Sequence, residues 1–211
     1  MSIYVVGITG ASGAPYAVQL LRSLLGAKHT VKLVVSGPGE RVMAIESGLE
    51  LTGTLSEKER EWKRFLDLPS NAGELQLLSN EDYAASVASG SYPTKGMVIT
   101  PCSMGTLGRI ANGVSSSLIE RAADVMLKER RQLILVPREM PLSRIHLRNM
   151  LSVTEAGGEV LPAMPAFYHH PHSIDDLVNT VVGRVLDRLG VEHSLSKQWR
   201  GEPQALPEFN E

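Results

Sequence analysis

The eleven residues from Gly96 to Thr106, Gly-Met-Val-Ile-Thr-Pro-Cys-Ser-Met-Gly-Thr, constrain this chain more than any other stretch. The apolar run Met97 to Ile99 reads as a buried strand that stops at Pro101. Small hydroxyl residues and a glycine follow, and a helical run begins at Leu107. Strand, small polar turn and helix in that order is how an open α/β sheet builds a crevice at its strand ends. The free N–H groups of such a helix start suit phosphate or carbonyl oxygens.

The same grammar opens the chain. Ser2 to Ile8 is rich in β-branched residues and reads as a central strand. It enters Thr9-Gly10-Ala11-Ser12-Gly13-Ala14-Pro15, with the proline near the first helical position. Ala17, Val18, Leu21, Leu24 and Leu25 then share one helix face. The glycines are spaced Gly-x-x-Gly rather than G-x-G-x-x-G. The second strand, Val31 to Val35, ends in Ser36 where a dinucleotide fold carries an acid. This favours a mononucleotide over NAD; the alternative is a tight βα turn holding no ligand.

Further elements follow in sequence. Gly37 to Gly48 reads as a short helix carrying Glu46, and Glu57 to Arg64 as an exposed, charge-laced helix. Residues 53–80 read as an arm or insertion, with Trp62 and Phe65 as an oligomer contact. Asp82 to Ser89 reads as a short helix. Ser116 to Leu127 and a run containing Ile145, Leu147 and Met150 read as helices, and Leu133 to Val136 and Glu159 to Leu161 as strands. Ile174 to Leu189 carries a clean apolar stripe, and a tail begins at about residue 200. Strands alternating with helices predict one α/β domain over 1–211: a flavodoxin-like or Rossmann-like three-layer sandwich with a mostly parallel, doubly wound sheet.

Composition narrows the function classes. A net charge of −2 and few aromatics give no field or stacking platform for nucleic acid. No apolar run is long enough for a membrane span, and no signal peptide is recognised. The single cysteine, Cys102, excludes an internal disulfide and suits a cytoplasmic location. Just after a buried strand, it reads as packing rather than as a nucleophile. His169-His170-Pro171-His172 lacks metal-ligand spacing, so no metal is expected. Arg121, Lys128, Arg138 and Arg184 form a cationic set suited to a dianionic phosphate.

These residues resemble the UbiX-type flavin prenyltransferases, which include fungal phenylacrylic acid decarboxylase-type homologues. The matching motifs are Gly7 to Gly13, Gly96 to Ile99 with Pro101 to Leu107, Arg121 to Val125 with Leu127 to Arg131, Arg138-Glu139 with Pro141-Leu142, Pro165 to His169, and Asp175 to Leu177 with Arg184 to Asp187. The resemblance runs from residue 1 to about Trp199. It implies a dodecamer with active sites at subunit junctions. It also implies FMN as the acceptor, dimethylallyl phosphate as the donor, and bonds formed at N5 and C6 of reduced FMN without a metal. The product, prenylated FMN, would serve a UbiD-type decarboxylase.

By motif, Gly10, Ala11, Ser12, Ser36, Ser103, Met104, Gly105 and Thr106 would contact FMN, with Arg138 near both ligands. Arg121, Lys128, Glu139, Tyr168 and Arg184 would hold the prenyl phosphate. Ser12, Glu46 and Glu139 would carry the chemistry, and Trp199 is the expected wall of the prenyl pocket. Gly37, Gly105 and Met140 depart from residues common in the family. Two rivals remain: a flavin-dependent cysteine decarboxylase of related fold and a non-enzymatic FMN carrier. The first needs a histidine after an early helix, where this chain has none between His29 and His146.

Overall fold

The computed structural model describes residues 1–196; the expected tail and Trp199 lie outside the described residues. Six strands form one parallel sheet: β1 (Ile3–Ile8), β2 (Thr30–Val35), β3 (Leu75–Leu78), β4 (Gly96–Cys102), β5 (Gln132–Pro137) and β6 (Glu159–Val160). Their spatial order is β3-β2-β1-β4-β5-β6. The chain winds outward from β1 in one direction, then returns to β4 and winds outward in the other. β1 and β4 therefore flank the topological switch point of a doubly wound α/β sheet.

Helices cover both faces because these strands are apolar on both sides. The helices α1 (Ala14–Gly26), α3 (Leu55–Leu66) and α7 (Ile174–Leu189) share one core cluster with Val6, Ile8, Leu33 and Val98. The helices α4 (Met104–Ala111), α5 (Leu118–Lys128) and α6 (Arg144–Glu155) join Val5, Met97, Ile99 and Leu135 on the other face. In α1, Leu21, Leu24 and Leu25 are fully buried, each worth about 1.5–3 kcal/mol of transfer free energy.

Three local expectations are corrected. First, β4 does not stop at Pro101 but continues through it to Cys102. Proline removes a donor but keeps its carbonyl, which accepts the Thr9 N–H at 3.2 Å and the Thr9 hydroxyl at 2.9 Å. Second, Asp82 to Ser89 is not a helix; only a 3-10 turn forms at Ser86–Ala88. The Asp82 carboxylate accepts the Ala84 N–H at 3.0 Å, and successive i→i+3 turns from Asp82 to Ser89 take up the remaining paired groups in place of a helical ladder.

Third, residues 53–80, read as an arm or insertion, are built into the domain. They contain α3 and the edge strand β3, which pairs with β2 from Val31↔Leu75 to Val34↔Leu78. Trp62 is fully buried in this core, so the expected oligomer contact does not run through it; Phe65 packs against the same core and is partly buried. The remaining faces of α3 are charged as anticipated, with a Thr54–Glu57 capping box and a Lys63–Glu59 ion pair at 2.6 Å. Glu59 also accepts the Leu77 N–H at 2.8 Å, which occupies a donor on an otherwise open sheet edge.

Candidate active site

Three strand-to-helix turns meet at the carboxyl ends of β2, β1 and β4, which are adjacent in the sheet. Thr9 fastens two of them together: its hydroxyl donates to the Pro101 carbonyl and accepts the Ser103 N–H at 2.7 Å. The third is held by the Ser36 N–H, which donates to the Ile8 carbonyl at 3.0 Å. Close backbone approach makes glycine necessary at two of these positions. A Cβ on Gly10 would lie 2.5 Å from the Pro38 side chain, and one on Gly39 2.6 Å from the Ile8 carbonyl oxygen. Ser36 caps α2 (Gly37–Ser47) through the Gly39 N–H at 3.1 Å, and Ser103 caps α4 through the Thr106 N–H at 3.3 Å.

At α1 the cap comes from elsewhere. Gly13 has no side chain to offer, and the Glu46 carboxylate, at the far end of α2, accepts the Gly13 and Ala14 N–H groups at 2.9 and 2.8 Å. With Ser36 pinned to Ile8 at one end and Glu46 at α1 at the other, α2 lies across the carboxyl edge of the sheet. Burial pushes the Glu46 carboxyl up, but the Ser12 hydroxyl, the two N–H groups and the Arg138 guanidinium outweigh it and hold it below its ordinary value. Arg138, just beyond β5, donates from Nε to the Ser12 carbonyl at 3.3 Å. Burial pushes the phenol of Tyr16, in the first turn of α1, above its ordinary value, and the Arg138 charge partly offsets it; nothing in the sequence singled it out.

The structure thus brings Gly10, Ala11, Ser12, Ser36, Ser103, Met104, Gly105 and Thr106 to three neighbouring turns and sets Glu46 and Arg138 at the first of them. It does not bring the phosphate set together. Arg121 and Lys128 are on α5, on one face of the sheet, and Arg184 is on α7, on the other. Arg121 pairs with Asp124 at 3.1 Å, Lys128 with Glu129, and Arg184 with Asp187 at 3.0 Å. Tyr168 contacts the neighbouring His169 ring at a tilt of 45°, with ring centres 3.9 Å apart, and lines a cavity of about 1190 Å³ with Arg184 and Asp187. Glu139 is exposed and accepts the neighbouring Met140 N–H at 3.0 Å.

Cys102 is fully buried, and burial pushes its thiol up to about 12, which removes it as a thiolate nucleophile. Among the described residues, no group of three His, Cys, Asp or Glu side chains is placed to hold a metal ion. No described helix is long and apolar enough to cross a membrane.

This geometry has close relatives. The Flavoprotein family model matches residues 2–186. The flavin prenyltransferase UbiX of Alkalihalophilus pseudofirmus is 51% identical over 197 residues, covering 93% of this chain and 96% of the relative. The UbiX of Pseudomonas aeruginosa is 44% identical over 196 residues and 92% of both chains. Among solved structures, AnUbiX (PadA1) in complex with FMN and dimethylallyl pyrophosphate superposes with a TM-score of 0.84 at 39% identity, covering 95% of this chain and 98% of the other. A dodecameric FMN-dependent UbiX-like decarboxylase from Escherichia coli O157:H7 gives 0.82 at 42% identity, covering 94% and 100%. The chain belongs to the Flavoprotein family and, within it, to the UbiX flavin prenyltransferases.

Proposed function

We propose that this chain transfers a dimethylallyl group from dimethylallyl phosphate to N5 and C6 of reduced FMN, and that the prenylated FMN goes to a UbiD-type decarboxylase in the cytoplasm. The observation that carries the reading is the convergence of Ser12, Glu46 and Arg138 at the switch point of the sheet. The residues there suit a flavin mononucleotide. Gly10, Gly37 and Gly105 leave backbone exposed beside the hydroxyls of Ser12, Ser36 and Ser103, and a Cβ on Gly37 would meet no atom within 4 Å. Reduced FMN supplies the nucleophile.

The chain's own groups handle charge and protons. Breaking the allylic C–O bond sends an electron pair to the departing phosphate. Arg121, Lys128 and Arg184 neutralise it, and Glu139 or Tyr168 delivers its proton. At the other end, the Ser12 hydroxyl lies beside a Glu46 carboxylate held in its charged, accepting form, so the pair can take the proton that N5 gives up. Because α5 and α7 lie on opposite faces, Arg121 and Arg184 serve one phosphate only where chains meet. A closed oligomer with the site at its junctions, a dodecamer in this reading, supplies that meeting.

The decisive experiment is anaerobic incubation with reduced FMN and dimethylallyl phosphate, followed by mass spectrometry of the extracted flavin. A five-carbon adduct is expected. Its absence from a protein that binds FMN would overturn the transferase reading.

A further inference from the structure

Arg109 and Glu120 form a device behind the turn that follows β4. Glu120 is 2% exposed in its side chain, and its carboxylate is saturated with donors. One oxygen accepts the Ser116 N–H at 2.8 Å and the Ser116 hydroxyl at 2.6 Å, and the other accepts Arg109 Nε. Anchored by its Nε, the Arg109 guanidinium turns Nη2 toward Thr106 Oγ1 at 3.2 Å. That same oxygen accepts the Ser103 hydroxyl at 3.0 Å. With both acceptor sites of Thr106 Oγ1 filled, its own hydrogen is left to donate elsewhere. The guanidinium lies along the bare flank of Gly105, where a Cβ would sit 3.4 Å from Arg109 Nη1.

We infer that Arg109 and Glu120 are positioning residues for the Ser103–Thr106 hydroxyl pair of the flavin site. Glu120 fixes the guanidinium, the guanidinium fixes the buried Thr106, and Thr106 holds the Ser103 hydroxyl, which is partly exposed at the turn. The planar fork is required because one nitrogen serves Glu120 while another serves Thr106. This inference rests on the flavin reading above.

A double-mutant cycle on FMN affinity tests it. The dissociation constant is read by quenching of flavin fluorescence in wild type, R109M, T106V and R109M/T106V. R109M is expected to weaken FMN by about five-fold, the loss of one ordinary hydrogen bond. The double variant is expected to bind no more weakly than T106V, and the KM for dimethylallyl phosphate is expected to hold in R109M. If R109M does not fold because Glu120 is left buried without its cation, R109M/E120L removes the pair together and should bind FMN as weakly. Unchanged FMN affinity in R109M or R109M/E120L, or additive losses in the cycle, would overturn the inference while leaving the flavin reading intact. A wild-type protein that fails to bind FMN would overturn both.

Discussion

The Glu46 carboxylate caps α1 from 33 residues away: Oε2 accepts the Gly13 N–H at 2.9 Å and, beside it, the Ala14 N–H. The arrangement places a full negative charge on the positive end of a helix dipole. It also sets that charge beside the Ser12 hydroxyl, so the group that stabilises the turn is the group proposed to take up the proton.

Glu46→Gln should retain FMN and form adduct about 100-fold more slowly, the usual scale for losing a general base. The same group gives a pH signature. Its folded value lies below the ordinary 4.5, so the unfolded chain binds the proton more tightly. The stability it contributes is present above about pH 4.5 and is lost as pH falls through the folded value. Thermal unfolding from pH 7 to pH 3 should therefore show wild type losing more stability than E46Q in the acid range. Parallel curves with unchanged adduct rates would remove Glu46 from both roles.

Gly39 and Gly37 make a matched pair two residues apart in α2. Gly39→Ala drives a Cβ to within 2.6 Å of the Ile8 carbonyl oxygen, a backbone atom that cannot turn aside. Denaturant unfolding should show a loss of about 2 kcal/mol or more. Gly37→Ala enters open space and should stay within about 0.5 kcal/mol of wild type. Equal effects would mean that the β2–α2 turn is not packed against β1 as described.

Local signals made much of this fold legible. The stripe of α7 predicts Ile174 to Leu189, the observed bounds, because eight apolar residues at helical spacing mark one face within one element; six of the eight are buried, while Ile174 at the helix start is exposed. The turns at Gly10, Ser36 and Ser103 were legible because strand, small polar residues and helix follow one another directly. Trp62 was misread because α3 is charge-laced, and its burial depends on β3 folding beneath it. The Glu46 contacts go to backbone N–H groups, which carry no signature in side-chain spacing. Arg109 and Glu120 are 11 residues apart on two different helices, so no periodicity links them. The phosphate set illustrates the converse. Charge chemistry and motif resemblance both grouped Arg121 with Arg184, and one chain keeps them on opposite faces.

Cys102 should behave as a wall and not as a reagent. With its thiol pushed up to about 12 by burial, essentially no thiolate exists at neutral pH. An aromatic disulfide reagent should therefore leave the native protein unlabelled over the time that labels it fully in denaturant, and Cys102→Ala should still form the flavin adduct. Rapid native labelling, or a variant that folds and binds FMN yet makes no adduct, would return the thiol to the mechanism.

The separation of Arg121 and Arg184 gives the sharpest test of where the site is assembled. Arg121→Ala and Arg184→Ala should each abolish most adduct formation, because each removes a cation from the departing phosphate. If one phosphate is held by Arg121 of one chain and Arg184 of another, mixing the two variants changes the outcome. Dissociated and reassembled together, some junctions pair the intact Arg121 of one variant with the intact Arg184 of the other. Those junctions have the complete cation set, and activity should rise well above the sum of the separate variants. Reassembly of either variant alone should give no such rise. A mixture that forms mixed oligomers, verified by mass tags on the two variants, yet stays at the summed level would show that the two arginines do not meet across a junction. Tyr168, beside Arg184 in the same cavity, should follow Arg184 in this experiment: Tyr168→Phe should be rescued by Arg121→Ala and not by Arg184→Ala.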